Sequence, residues 1–260
     1  CRPAPCIERL RVVTSLGLSL AIRTLTRFPV PGRGEEAPEK SLFWFPFVGA
    51  LLGLCSYGVA SLPLAGTVRA ALVLALTAYL TRAFHLDGLA DFADGLGGGW
   101  TRERALEIMR DSHSGAFAVV TLIVVLLVQY SCLTIIVDAL APALILAPAI
   151  GGLMQVIAAS FLPYARSGEG TASQLVRRAT RRHSLLPLVQ VLGTCLVLYL
   201  FFDEELALKA LTALGCAFLM SLVVMQVAKR RLGGVTGDVL GAIEVLGESA
   251  ALLGFLLPLA

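Results

Sequence analysis

Apolar residues in this chain fall in blocks of about twenty, with the polar residues gathered between them. About twenty helical residues cross a hydrocarbon core. The blocks at 43–62, 69–84, 116–137, 140–162, 185–202, 206–227 and 239–259 therefore read as seven membrane spans. They must be helical, because lipid offers no partner for backbone N–H and C=O groups. Upstream, residues 7–28 are apolar but broken by Arg9, Arg11, Arg23 and Arg27, the pattern of an amphipathic helix lying at the interface. PVPGRGEEAPEK, 29–40, is a loop by its proline, glycine and charge. The expectation is an all-α, polytopic helical membrane protein with about seven transmembrane helices, an N-terminal interfacial helix, and one membrane-embedded domain over 1–260.

Composition supports this class. The chain is 57% hydrophobic and 15% charged, where soluble domains carry about a quarter charged residues. Basic residues fix the orientation. The segments 23–40, 82–113, 163–183 and 229–231 hold sixteen of the 21 Lys and Arg. Seven spans put all four segments on one side, and the positive-inside rule makes that side cytoplasmic. Four of the six cysteines, Cys55, Cys132, Cys195 and Cys216, lie in apolar blocks and no CxxC occurs, so small buried thiols are expected rather than disulfides or zinc. The opening CRPAPCIERLR has charges and prolines and no short apolar core directly after it, so no cleavable signal peptide is expected there.

The polar stretch with most to say is FHLDGLADFADGLGGGWTRERALEIMRDSHSG, 84–115. On a helix, Asp87, Asp91 and Asp94 stand at i, i+4 and i+7 and share a face. Like charges so spaced repel by a few tenths of a kcal/mol per pair, roughly, and more where water is scarce. A cation relieves this, and hard oxygen ligands suit magnesium or manganese. LGGGW, 96–100, is too glycine-rich to expect as helix. Thr101 then offers an N-cap to a second helix carrying Glu103, Glu107 and Asp111. Glycines ahead of a helix, Gly97 and Gly98 here, can expose amides to a phosphate, and Asp111-Ser112-His113 closes that helix. Solvated connector acids are the plain alternative reading. The small residues between them, Gly88, Ala90, Ala93 and Gly95, leave room for a ligand instead.

A second polar group closes the chain. GGVTGD, 233–238, is a glycine-rich turn in which Thr236, Gly237 and Asp238 open the last span, and Glu244 and Glu248 follow inside it. Ionisable groups within a span are expensive and mark function by default. Arg177, Arg178, Arg181 and Arg182 either clamp phosphates or anchor to anionic head groups. His85, His113 and His183 are not spaced as metal ligands, and HExxH and GxSxG are absent.

FHLDGLADFADG, LEIMRDSHSGAFAV and LGGVTGDVLGAIE, with LTRFPVP and FPFVGALLG before them, resemble the cobalamin synthase family, the adenosylcobinamide-GDP ribazoletransferases. The likeness runs in order from about residue 25 to the end. It implies a magnesium-dependent enzyme of the bacterial cytoplasmic (inner) membrane, working on its cytoplasmic side. The implied reaction transfers the phosphocobinamide moiety of adenosylcobinamide-GDP to α-ribazole or its 5′-phosphate and releases GMP. On this chain the resemblance implies Asp87, Asp91 and Asp94 as metal acids, with Glu107 and Asp111 nearby and Asp238 and Glu244 from the last motif. Phe92 stands where relatives commonly have threonine, and Gly151-Gly152 where a Ser-Arg pair is expected.

The chemistry fits these residue types. Displacing GMP from a diphosphate needs charge neutralised and the incoming hydroxyl aligned. Asp111, with Glu107 beside it, is the candidate proton acceptor. Gly97, Gly98, Ser112, Thr236, Gly237, Asp238 and Glu244 are candidate phosphate and substrate contacts. Lipid surrounds the spans, no nucleic-acid partner is expected, and an oligomer is left open. A CDP-alcohol-type head-group phosphotransferase and a cation-coupled transporter are the alternatives. A transporter places its acids near mid-membrane on broken helices, whereas these gather at the basic end.

Overall fold

The computed structural model describes residues 17–31, 37–139, 142–168, 170, 172–201 and 204–258. The first part of the expected interfacial helix, 7–16, lies outside the described residues, and 17–25 are helical (α1). A 3-10 segment, Pro38–Trp44, runs into α2 (Phe45–Ala60). There follow α3 (Gly66–Leu80), α4 (Phe84–Gly98), α5 (Arg102–Ile108), α6 (Ala116–Ala139) and α7 (Ala143–Phe161). The chain ends with α8 (Ser173–Arg178), α9 (Leu185–Phe201), α10 (Glu204–Leu232) and α11 (Gly237–Leu256). The described residues hold no strand, only an isolated parallel bridge between Tyr164 and Val235.

All seven expected apolar helices are present, in an all-α membrane architecture. Five of them, α2 with its 3-10 lead-in, α6, α7, α10 and α11, are long and apolar enough to cross a membrane, and six if α3 and α4 form one bent span. α3 has 15 residues and α9 has 17. They rise about 23 and 26 Å against a core of about 30 Å. Length and composition thus account for five or six crossings.

α7 and α11 form the buried centre. Lipid provides no hydrophobic drive between helices, so close backbone approach through small residues holds them. A Cβ on Gly49 of α2 would lie 2.3 Å from the Pro148 carbonyl of α7, and one on Gly53 2.3 Å from that of Leu144. α6 and α10 are the outer helices. They expose Val120, Ile123 and Leu127, and Leu219 and Val223, as helices facing acyl chains should.

The sharpest local feature is the corner between α3 and α4, an 88° bend. Arg82 and Ala83 adopt left-handed φ of 57° and 53°, which costs side-chain-bearing residues roughly 1–2 kcal/mol each. Surrounding bonds hold the corner. Ala83 N–H donates to the Ala78 carbonyl at 2.7 Å and Arg27 N–H to that of Leu80 at 2.8 Å. The Arg82 guanidinium reaches the carbonyls of Arg23 and Thr24 at 3.2 and 3.4 Å. The corner carries the acidic helix α4 off the axis of its span. Ala83→Gly should therefore be tolerated, while Ala83→Val should lose about 2 kcal/mol or more. Thermal unfolding in detergent checks this, and equal melting temperatures for the two variants would contradict it.

Candidate active site

Three polar segments converge at one end of the bundle. Arg102, at the start of α5, donates from Nε to the Leu232 carbonyl and from Nη2 to the Ala165 carbonyl, both at 2.7 Å. Arg231 caps the end of α4 through the Gly99 carbonyl at 2.6 Å. The loop after α7 and the turn before α11 are zipped by Ala165 N–H to Val235 O, 2.8 Å, and Val235 N–H to Pro163 O, 2.9 Å. A Cβ on Gly234 would lie 2.1 Å from the Pro163 carbonyl, so that turn needs glycine. Much of the basic charge read from the sequence is thus spent tying loops together.

Inside this frame α4 crosses the start of α11 at very short range. A Cβ on Gly88 would sit 2.8 Å from the Asp238 carbonyl oxygen and 3.0 Å from its Cα. From the other side, one on Gly241 would lie 3.1 Å from the His85 carbonyl and 3.4 Å from Gly88 Cα. The crossing brings Asp87 and Asp91 of α4 to Asp238, though nearly 150 residues separate them. Asp238 is held by Arg166, whose Nη2 donates to its Oδ2 at 2.9 Å, and by the Thr236 hydroxyl at 3.1 Å. Thr236 also accepts from Val239 N–H and so caps α11. Gly237 opens this helix, and the positive end of the helix therefore lies at Asp238, a place that favours an anion.

Arg166 and Asp238 are nearly buried, with side chains 13% and 22% exposed. Removing one partner from such a pair costs about 3–5 kcal/mol, because the other charge stays buried. Arg166 Nη2 also reaches the Met109 carbonyl at 3.3 Å, and its buried Nε has no partner among the described residues. Arg166 escaped the sequence reading, which treated it as one of a basic segment. Its signal was chemical: a buried Asp238 needs a cation.

Asp91 is half-buried, and its pKa is raised from the ordinary carboxylate range to about 7. Burial is the main cause, followed by the fields of Asp238 and Asp87, with Arg166 opposing. Such crowding is what a cation relieves. Among the described residues no three His, Cys, Asp or Glu side chains form a ready cage. Magnesium characteristically takes one or two protein carboxylates plus substrate phosphates and water, so the donor set of Asp87, Asp91 and Asp238 fits an ion that shares a phosphate ligand.

The other expected residues are placed differently. Asp94 is buried, and its two oxygens accept from Gly115 N–H and Ala118 N–H at 2.5 and 2.9 Å. These bonds make it an anchor for the start of α6, and its charge still adds to the field on Asp91. Gly97 and Gly98 are not a loop leading into α5; they finish α4. Tertiary packing overrides their low propensity: Gly97 lies under the Phe117 ring and Gly98 near Ile108. A helix C-terminus frees carbonyls rather than amides, the wrong polarity for a phosphate. Glu107 is exposed in a pair with Arg104 at 2.7 Å, worth little in water. Asp111 and Ser112 are exposed. The His113 side chain, 2.6 Å from Asp111, is the main cause of a lowered Asp111 pKa, which weakens it as a proton acceptor. Glu244 lies deeper, 7% exposed, against His85 Nδ1 at 3.0 Å.

Comparison with known proteins decides the family. The family model described as cobalamin-5-phosphate synthase matches residues 17–256. The chain belongs to the cobalamin-5-phosphate synthase family. It is 41% identical over 241 residues to the adenosylcobinamide-GDP ribazoletransferase of Chlorobaculum tepidum, covering 91% of this chain and 93% of the relative. A relative of the same name from Stutzerimonas stutzeri is 40% identical over 250 residues, covering 93% and 98%. No solved structure matches. All of the site acids lie within the part that matches this synthase family.

Asp91 gives a pH prediction. Between roughly pH 4 and 7 the unfolded chain has lost this proton while the folded protein keeps it, so stability falls as pH rises through that window. Without divalent metal, Asp91→Asn should gain stability relative to wild type between about pH 5 and 8. Magnesium should narrow the difference most at the alkaline end. A wild-type-to-variant difference in melting temperature that is flat with pH would contradict the crowding of Asp91.

Proposed function

We propose that the chain is an adenosylcobinamide-GDP ribazoletransferase. It moves the phosphocobinamide group of adenosylcobinamide-GDP onto α-ribazole or its 5′-phosphate, releases GMP, and joins the lower ligand of cobalamin. The supporting observation is the meeting of Asp87, Asp91 and Asp238 with Arg166 at the N-terminus of α11. This places acids, a guanidinium and helix amides around one point, the set a diphosphate requires. Magnesium is the cofactor of this reading: bound there, it would neutralise phosphate oxygens and bring donor and acceptor into line.

The residues divide the remaining work. Asp87 and Asp91 would supply carboxylate oxygens to the ion. Arg166 sets the position of Asp238 with Nη2 and keeps Nε for a phosphate oxygen. The α11 amides bind the same charge without any cost of reorganisation at the moment of reaction. Asp111 and Glu107, exposed and already bonded, are poorly placed as the proton acceptor. The site lies at the end where basic segments converge, which the positive-inside rule assigns to the cytoplasm. The cytoplasmic membrane of a bacterium, active site inward, is the location that follows.

Purified protein given adenosylcobinamide-GDP, α-ribazole and magnesium should release GMP. Asp91→Asn should lower kcat by about a hundredfold or more, the scale for losing one preorganised electrostatic element, while the protein still folds. Near-normal GMP release by that variant at low magnesium would refute the metal role.

A further inference from the structure

Beside the acid cluster, between α5 and the loop that carries Arg166, runs a groove that the phosphate chemistry leaves unused. It holds about 380 Å³, within the ordinary range of ligand clefts, roughly 300–1,000 Å³. One wall is the 165–167 loop, with Arg166 and Ser167, and the other is α5. Glu103, Leu106, Glu107 and Arg110 stand at i, i+3, i+4 and i+7 along α5 and the turn that follows it, so they share a face. All four line the groove. The helix thus presents to it a carboxylate at one end, an apolar side chain in the middle and a guanidinium at the other end.

These charges differ in what already holds them. Glu107 is committed to Arg104 at 2.7 Å. Arg102, at the start of the same helix, is spent on the Leu232 and Ala165 carbonyls. The side chains of Glu103 and Arg110 have no partner among the described residues. An ionised carboxylate only accepts, and its two oxygens suit a pair of neighbouring N–H donors. An unpaired guanidinium suits a phosphate.

The groove adjoins the acids through Arg166, which lines it while its Nη2 bonds Asp238 at 2.9 Å. The same Nη2 reaches the carbonyl of Met109, the residue before Arg110, at 3.3 Å. The Arg110 end of the row is therefore the end beside the cluster. Glu103 lies seven residues back, about 10 Å along the helix. A nucleoside monophosphate has that reach from its phosphorus to the far edge of its base.

We propose that this groove seats the GMP half of the donor substrate, with Arg110 beside its phosphate, Leu106 under the purine ring, and the Glu103 carboxylate accepting from guanine N1–H and the N2 amine. The proposal rests on the ribazoletransferase reading and adds to it the seat of the nucleotide and the residue that reads its base. Guanine alone among the common bases carries two adjacent N–H donors on its pairing edge, and a carboxylate matches both. Adenine turns the bare N1 lone pair to the same place, where a carboxylate repels it. Glu103 is thus the residue that sets the choice of guanine.

Titration calorimetry of the purified protein in magnesium, with GMP, AMP and xanthosine monophosphate, tests this. Wild type should bind GMP about tenfold or more tighter than AMP, the discrimination of one good bidentate pair. Glu103 is exposed in the first turn of α5, and glutamine is as good a helix former as glutamate, so Glu103→Gln should fold. It should erase the GMP preference and leave AMP affinity within about twofold, because the amide keeps one acceptor but turns an N–H against the guanine amine. That N–H matches the C2 oxygen of xanthine, so the variant should bind xanthosine monophosphate about tenfold tighter than wild type does, a gain that damage to the fold does not produce. Arg110→Ala should weaken GMP and AMP to the same degree. No GMP binding to wild type, equal wild-type affinity for GMP and AMP, or a GMP preference in Glu103→Gln within about twofold of wild type overturns the proposal. Failure of wild type to release GMP from adenosylcobinamide-GDP and α-ribazole refutes the functional reading separately, and the titrations still decide the nucleotide seat.

Discussion

The site depends on the contact between two backbones. α4 and α11 meet at Gly88 and Gly241 with no room for a Cβ on Gly88 that would not strike the Asp238 backbone. In lipid, apolar side chains gain nothing by turning from acyl tails to each other, so such crossings rely on small residues and close packing. Here the same crossing sets the chemistry. It holds Asp87 and Asp91 near the first turn of α11, where Asp238 stands.

Bringing acids together has an electrostatic cost, and the rest of the fold offsets it. Arg166 neutralises Asp238, and the α11 N-terminus adds positive potential. Burial first, and then the neighbouring acids, outweigh these and push the Asp91 pKa up to about 7. On the magnesium reading proposed above, a bound cation would make up the deficit. Asp94 shows the contrasting case: each of its oxygens accepts a backbone amide, and it serves to anchor α6. The 88° corner at Arg82 and Ala83 stores strain that serves the same end, since a straight continuation of α3 would carry the acids away from α11.

Much of this was legible in the sequence, for identifiable reasons. Twenty-residue apolar blocks gave the helices because lipid permits no other spanning structure among α and coil. The i, i+4 spacing of Asp87 and Asp91 and the GGVTGD turn pointed to one site. Local patterns failed where tertiary contacts decide. Gly97 and Gly98 are helical because Phe117 and Ile108 pack on them. Asp94 shares the spacing of its neighbours, but its partners are amides 21 and 24 residues away. Arg166 looked like any basic residue of its loop until Asp238 was seen beside it. No period or motif signals an αL corner made of arginine and alanine, and the pairing of His85 with Glu244 joins helices more than 150 residues apart.

The central claim is that the Gly88 crossing assembles the catalytic charges, and Gly88→Ala tests it most directly, with Gly58→Ala as control because a Cβ there meets nothing within 4 Å. Alanine favours an isolated helix by about 1 kcal/mol over glycine, so propensity alone predicts no harm at either position. The account predicts that Gly88→Ala inserts and folds but loses about a hundredfold in GMP release, the scale of a misplacement near 1 Å, while Gly58→Ala matches wild type. GMP release by Gly88→Ala within about twofold of wild type would show that the site does not depend on this contact.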